Sequence, residues 1–244
     1  MMELKMQELR MQDKCDLVSN RIKERMRTKK LVNSITCAVI SVLGVLSLIY
    51  KVNYQGDFLS CLRELTVNGT IFTTVVSFCY FVTNIFEMIF DHEVEREFFY
   101  YLRLSSAVAE FVIALVVMIG QLPIVPDKPV IARFDMFNMH VLIPILTILS
   151  FVFHDPSIGK LKPSSRWKGL IFVTLYAFII VPLIIIGIIP QDKIPYSFMN
   201  FYTSNPFYIL FSACFVFLGG YLISWMLSEF NRMGSWLWYK NVAR

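Results

Sequence analysis

The sequence predicts an all-α, polytopic membrane protein with six transmembrane helices and both termini cytoplasmic. Three observations predict it. The 244 residues are 56% hydrophobic, 15% aromatic and only 17% charged, with a mean hydropathy of +0.59. A soluble domain holds about 45–50% apolar and about 25% charged residues. The apolar residues also come in blocks, six of them near the roughly 20 residues that a spanning helix requires. Finally, Lys and Arg are sorted between loops. The first 30 residues, the loops after the second and fourth blocks, and the tail hold 18 of them, and the other three loops hold 5. Such an excess marks the cytoplasmic side. A disordered chain, a disulfide-stapled secreted domain and a nucleic-acid module are excluded. The formal charge of +5 follows from the loop sorting and implies no nucleic-acid partner. A transmembrane barrel would show short alternating strands, and blocks of this length do not alternate.

Residues 1–30 form a cytoplasmic basic segment. Cys15, Val18, Ile22 and Met26 recur at helical spacing among Arg21, Lys23, Arg25 and Lys29. An amphipathic helix lying on anionic lipid is expected, with a partner-binding or dimerising helix as the alternative. The apolar stretch that follows is long enough to span and lacks a small-residue cleavage site, so a cleavable signal peptide is not expected. The six-helix transmembrane domain covers 31–230, with spans near 31–50, 66–90, 104–125, 136–153, 168–189 and 207–228, and 231–244 is a cytoplasmic tail. The five cysteines show no metal-ligand spacing and read as small packing residues. No cofactor or metal is expected, and the oligomeric state is not legible.

The second span carries an ordered polar set. Thr66, Thr70, Thr73, Ser77, Tyr80, Asn84 and Glu87 step by four and three and share one face. Lipid cannot satisfy that face, so it must look into the bundle. Two readings compete: close helix packing through small polar residues, or a lined cavity. In the fourth span His140, Pro144, Thr147 and His154 share a face. Thr66 lies three residues after Arg63 and His140 five after Asp135. Both spans start from the outside, so Thr66 and Thr70 bracket His140 in depth. A hydroxyl and an imidazole could therefore meet in the outer leaflet. Threonine is a weak nucleophile that needs a base, and histidine has the right proton affinity. Thr66 is the candidate nucleophile and His140 the candidate base. Asn68, Asn138 and the backbone near Gly69 are candidate oxyanion donors, Arg63 could hold a carboxylate, and Thr70 is the rival nucleophile. The third span places Glu110 on a face with Ser106, Val117 and Gln121, near the level of Ser77 and Tyr80. His92 reads as solvated surface.

Residues 63–70 read R-E-L-T-V-N-G-T and residues 139–144 read M-H-V-L-I-P. The first resembles the R-x-F-T-V-x-S-N segment, and the second the H-Y-V-V-P segment, of a family of small bacterial six-span membrane proteins. Both more distantly resemble the androgen-induced membrane hydrolases of animals. That resemblance implies six spans, a bacterial plasma membrane, and hydrolysis of a fatty-acyl ester of a hydroxy fatty acid by an intramembrane threonine and a histidine. The family nucleophile falls on Thr66 and the family histidine on His140. Gly69 and Thr70 stand where the bacterial pattern has Ser-Asn, and Ser150 where it often has Asp. The expected function is a membrane-embedded lipid-ester hydrolase. The alternatives are a non-catalytic lipid or ligand receptor, an envelope-complex subunit, or a small proton-coupled transporter using Glu110, Tyr80, Asn84 and Glu87.

Overall fold

The computed structural model describes residues 2–91, 94, 97–121, 133–154, 163–196 and 199–242, with side chains described throughout except at 2–11, 13–18, 119–121, 235 and 237–242. Every regular element among them is a helix, and six helices are long and apolar enough to cross a membrane: Ser19–Gln55, Leu65–Phe90, Glu97–Met118, Phe134–His154, Pro163–Ile185 and Pro206–Gly234. The protein is thus an all-α, multi-pass integral membrane protein. Backbone groups in hydrocarbon have no water to bond, so each crossing satisfies its own amides along the helix.

The first helix, α1 (Met2–Gln55), runs unbroken through the basic segment and the first span. The Cys15 and Val18 side chains of the expected amphipathic face lie outside the described residues, and Ile22 and Met26 are half-buried. Gly56, at φ +74°, turns the chain. The single turn α2 (Phe58–Cys61) follows, capped by the Asp57 carboxylate accepting from the Leu59 and Ser60 amides at 3.0 and 3.3 Å. Next comes α3 (Leu65–Phe90), antiparallel to α1. Lys51 pairs with Glu64 at one end (2.9 Å) and Lys30 with Glu87 at the other (3.0 Å). These two ends are called the Thr66 end and the Glu87 end below.

The central helix is α4 (Glu97–Leu115), which packs against α3, α6, α7 and α8. Its run Ser105, Ser106, Ala107, Val108 and Ala109 is fully buried, because small side chains let several neighbours approach one backbone. The Ser105 hydroxyl accepts the Phe172 amide at 3.0 Å. The chain continues through a π-helical turn, Val116–Gln121. This third span begins earlier than the expected 104. Hydropathy discounted Arg103 as a loop charge, yet Arg103 lies inside α4 with no exposed surface.

The fourth crossing is composite. It passes from α5 (Phe134–Phe137) through a π-helical turn (Asn138–Leu142), α6 (Ile143–Leu149) and a second π-helical turn (Ser150–His154). Pro144 brings no amide to the first turn of α6, and the wider winding before it is one way a helix accommodates that loss. A 3-10 helix, Pro163–Leu170, leads into α7 (Ile171–Ile185). The expected fifth span reaches 189, but Gly187 turns left-handed (φ +78°) and the Ile186 amide bonds back to Pro182 at 2.9 Å. The apolar run goes on while the helix does not. The last helix is α8 (Pro206–Val242). Cys37 and Cys61 are buried as expected, whereas Cys79 and Cys214 face outward.

Candidate functional site

All seven polar residues of the α3 stripe are buried, none more than 6% exposed. The stripe therefore faces the bundle, as its spacing requires. What it meets differs along its length.

At the Thr66 end, Thr66 Oγ1 lies 3.3 Å from His140 Nε2, joining two helices 74 residues apart in sequence. The other ring nitrogen, His140 Nδ1, is 2.8 Å from the Met136 carbonyl, one turn back. A carbonyl only accepts, so Nδ1 carries the proton and donates. Nε2 is left as an acceptor, and the Thr66 hydroxyl donates to it. The main chain thus holds the ring in the tautomer that a general base needs. The 3.3 Å separation is longer than the roughly 2.8 Å of a strong hydroxyl bond, and a modest tightening brings the pair into proton-transfer range. Both residues are largely withdrawn from the surface, at 6% and 7% exposed.

A residue from the loop after α7 completes the surroundings. The Tyr196 hydroxyl bonds the Thr66 side chain and the amides of Leu65 and Thr66. Those amides open α3, whose N-cap residue Glu64 gives them no side-chain bond. Helix-opening amides have no intrahelical acceptor, and the phenol oxygen fills that role. The Glu64 carboxylate is instead engaged by Lys51 and by Gln55, each at 2.9 Å. Burial, reinforced by the Glu64 charge, pushes the Tyr196 phenol up to about 12. Tyr196 therefore stays a hydrogen-bond donor at neutral pH. Sequence spacing could not find it, because a loop tyrosine has no periodic relation to a helix 130 residues earlier.

The other candidates divide. Asn68 does not point its amide at the pair: its Nδ2 donates to the Leu62 and Glu64 carbonyls at 2.6 and 3.0 Å, fixing the turn into α3. Arg63 sits in that turn, half-buried, with Nη2 3.4 Å from the Ser60 hydroxyl and its carbonyl accepting from Tyr176 at 2.6 Å. Thr70 lies one turn deeper than Thr66, fully buried, and its hydroxyl has no partner at hydrogen-bond distance. Asn138 is 3% exposed with an equally unmatched Nδ2. Of the expected group, geometry brings Thr66 and His140 together. Asp135, fully buried, is held by Arg133 at 2.6 Å, and that guanidinium lies 3.5 Å from the Tyr54 ring centre.

Further along, the fully buried Glu110 carboxyl stands against the Thr73 hydroxyl. Ser77 and Tyr80, expected near Glu110, meet Arg103 instead. Arg103 Nη1 donates to Ser77 Oγ at 2.9 Å and Nη2 to Ser150 Oγ at 2.7 Å, and the guanidinium lies 5.6 Å from the Tyr80 ring centre. The Ser150 hydroxyl in turn donates to Asn33 Oδ1 at 2.7 Å. One buried cation so ties α1, α3, α4 and the end of the fourth crossing together. His92 lies outside the described residues. Among the described residues, no three His, Cys, Asp or Glu side chains converge as metal ligands.

A helix start capped by a phenol oxygen, a threonine hydroxyl and an imidazole held as an acceptor thus stand together within a multi-pass membrane protein. No family model, no curated protein and no solved structure matches the chain.

Proposed function

We propose that the protein is a membrane-embedded lipid-ester hydrolase with Thr66 as nucleophile and His140 as general base. The observation that carries this reading is the Thr66 Oγ1–His140 Nε2 contact at 3.3 Å with Nδ1 held by the Met136 carbonyl. The resemblance of residues 63–70 and 139–144 to the androgen-induced membrane hydrolases points the same way.

The chemistry follows from the geometry. Thr66 Oγ attacks the ester carbonyl carbon while its proton passes to His140 Nε2. The carbonyl oxygen becomes an oxyanion beside the Tyr196 hydroxyl, a donor of the kind such charge needs. The tetrahedral centre collapses, the C–O bond to the alcohol breaks, and His140 gives its proton to the departing oxygen. Water then attacks the acyl-Thr66 ester with His140 again as base, releasing the acid and restoring the hydroxyl. Asn68 is not assigned as an oxyanion donor, because its amide is engaged elsewhere.

The sorting of Lys and Arg between loops supports an outer-leaflet Thr66 end with both termini cytoplasmic, and the motif favours a bacterial plasma membrane. The substrate is then a fatty-acyl ester entering from the lipid. A fluorophosphonate probe on the purified protein tests the site: it should label wild type and Thr66→Ser, and fail on Thr66→Ala and His140→Ala. Labelling that survives both alanine variants removes the proposal. A reporter fused after residue 244 that works only outside the cell would reverse the orientation and leave the chemistry standing.

A further inference from the structure

At the Glu87 end, a cleft of about 110 Å³ opens between α4, the 3-10 helix and α8. It is well above the roughly 10–15 Å³ that admits one water. Its walls include Arg166, Glu229, Arg232, Ser165 and Tyr101. Glu229 is shared: Arg166 Nη2 reaches one carboxylate oxygen, and Arg232 Nη2 reaches the other at 2.5 Å. Two guanidinium groups therefore converge on a single carboxylate, each through one nitrogen. Beside them Lys168 stands 3.7 Å from the centre of the Tyr101 ring, whose hydroxyl donates to Glu97 at 3.1 Å. Among the described residues in and beside the cleft, Arg166, Arg232 and Lys168 outnumber Glu229 and Glu97 by one charge.

The level of the cleft in the bilayer is marked independently. Trp167 (57%) and Trp236 (59%) are exposed on the elements that frame it. Tryptophan is enriched at the headgroup boundary of membrane proteins. Basic pockets between transmembrane helices at that level suit lipid phosphates. A guanidinium fork matches phosphate oxygens two at a time, and both forks here hold further N–H groups beyond the one aimed at Glu229.

We propose that this cleft binds the phosphate of an anionic lipid headgroup, its oxygens taken by Arg232 and Arg166 in competition with Glu229. Arg166 supplies the fixed wall, with 20% of its side chain exposed, and Arg232 the open side, with 67% exposed. The site is at the opposite end of the bundle from Thr66 and owes nothing to the hydrolase reading.

The test uses the full chain in neutral detergent and follows its unfolding midpoint. Short-chain phosphatidate, the matching phosphatidylcholine and inorganic phosphate are titrated in parallel. Phosphatidate should raise the midpoint and phosphatidylcholine should not. Arg232→Gln, an exposed change that spares the fold, should weaken the apparent affinity about tenfold, the scale of one charge-assisted contact. Glu229→Gln removes the competing carboxylate and should strengthen it several-fold, whereas a purely structural ion pair predicts a weaker protein and no gain. An Arg232-dependent response to inorganic phosphate identifies the phosphate group as sufficient and admits a soluble source; a response to phosphatidate alone assigns the lipid. Equal shifts with phosphatidate and phosphatidylcholine, no shift with either phosphate compound, or a phosphatidate affinity untouched in Arg232→Gln overturns the proposal. That last control also separates this cleft from the basic N-terminal segment.

Discussion

Thr66 and Ser77 sit on one face of α3, about 16 Å apart along its axis, and meet opposite surroundings. Ser77 belongs to a knot in which the Arg103 guanidinium bonds two hydroxyls, and Ser150 bonds Asn33 in turn. Thr66 shares its hydroxyl with one imidazole nitrogen and one phenol, and its neighbours come from a loop as well as from helices. The first arrangement fastens helices. The second sets a hydroxyl against an imidazole at the start of a helix. One polar stripe in a membrane span thus meets a buried cation at one depth and an imidazole and a phenol at another.

The contrast is broken most severely at the Thr66 end. Thr66→Ala or His140→Ala should cut ester hydrolysis by about 10⁴-fold or more, with an unfolding midpoint close to wild type. A large loss of stability with no esterase activity in wild type would instead make the whole stripe structural. Tyr196→Phe removes one donor from the nucleophile and should lower kcat by roughly 10²-fold with little change in KM, the usual scale for an oxyanion donor. At the other region Ser150→Ala strands one nitrogen of a buried cation. It should cost about 1.5–3 kcal/mol in denaturant unfolding and leave fluorophosphonate labelling intact. Between the two lies the α1–α3 crossing, where a Cβ added at Gly44 would fall 1.9 Å from Thr74 Oγ1. Gly44→Ala should destabilise by about 1–3 kcal/mol, and the added change Thr74→Ala should recover much of it.

The smallest effect is at high pH. Folding raises the Tyr196 phenol from its ordinary value of 10.0 to about 12, so the folded protein favours the protonated form. That contribution is whole below pH 10 and lost as pH rises toward 12. Wild type should therefore lose stability faster than Tyr196→Phe across that window in pH-dependent melts.

The six crossings were legible because hydropathy and length decide which segments enter lipid. The buried face of α3 was legible because a step of three and four residues leaves no other face for Thr66 through Glu87. The depth match between Thr66 and His140 came from counting inward from Arg63 and Asp135. What stayed hidden has physical causes. Arg103 was read as a loop charge, since a fully buried guanidinium is costly until Ser77 and Ser150 are known to surround it. Tyr196 could not be placed, because a loop takes its position from tertiary packing. The π-helical turn at Asn138–Leu142 has no periodic signature beyond Pro144.

The partner that orients His140 is the Met136 carbonyl, and this sets what can disable the ring. No side-chain replacement at residue 136 deletes a carbonyl, so scanning that position alone would report an innocent bystander. Vulnerability moves to whatever fixes the local winding. Pro144→Ala, which restores an amide one turn after His140 and invites the helix to tighten, should shift that acceptor and lower hydrolysis while both reacting groups stay in the chain.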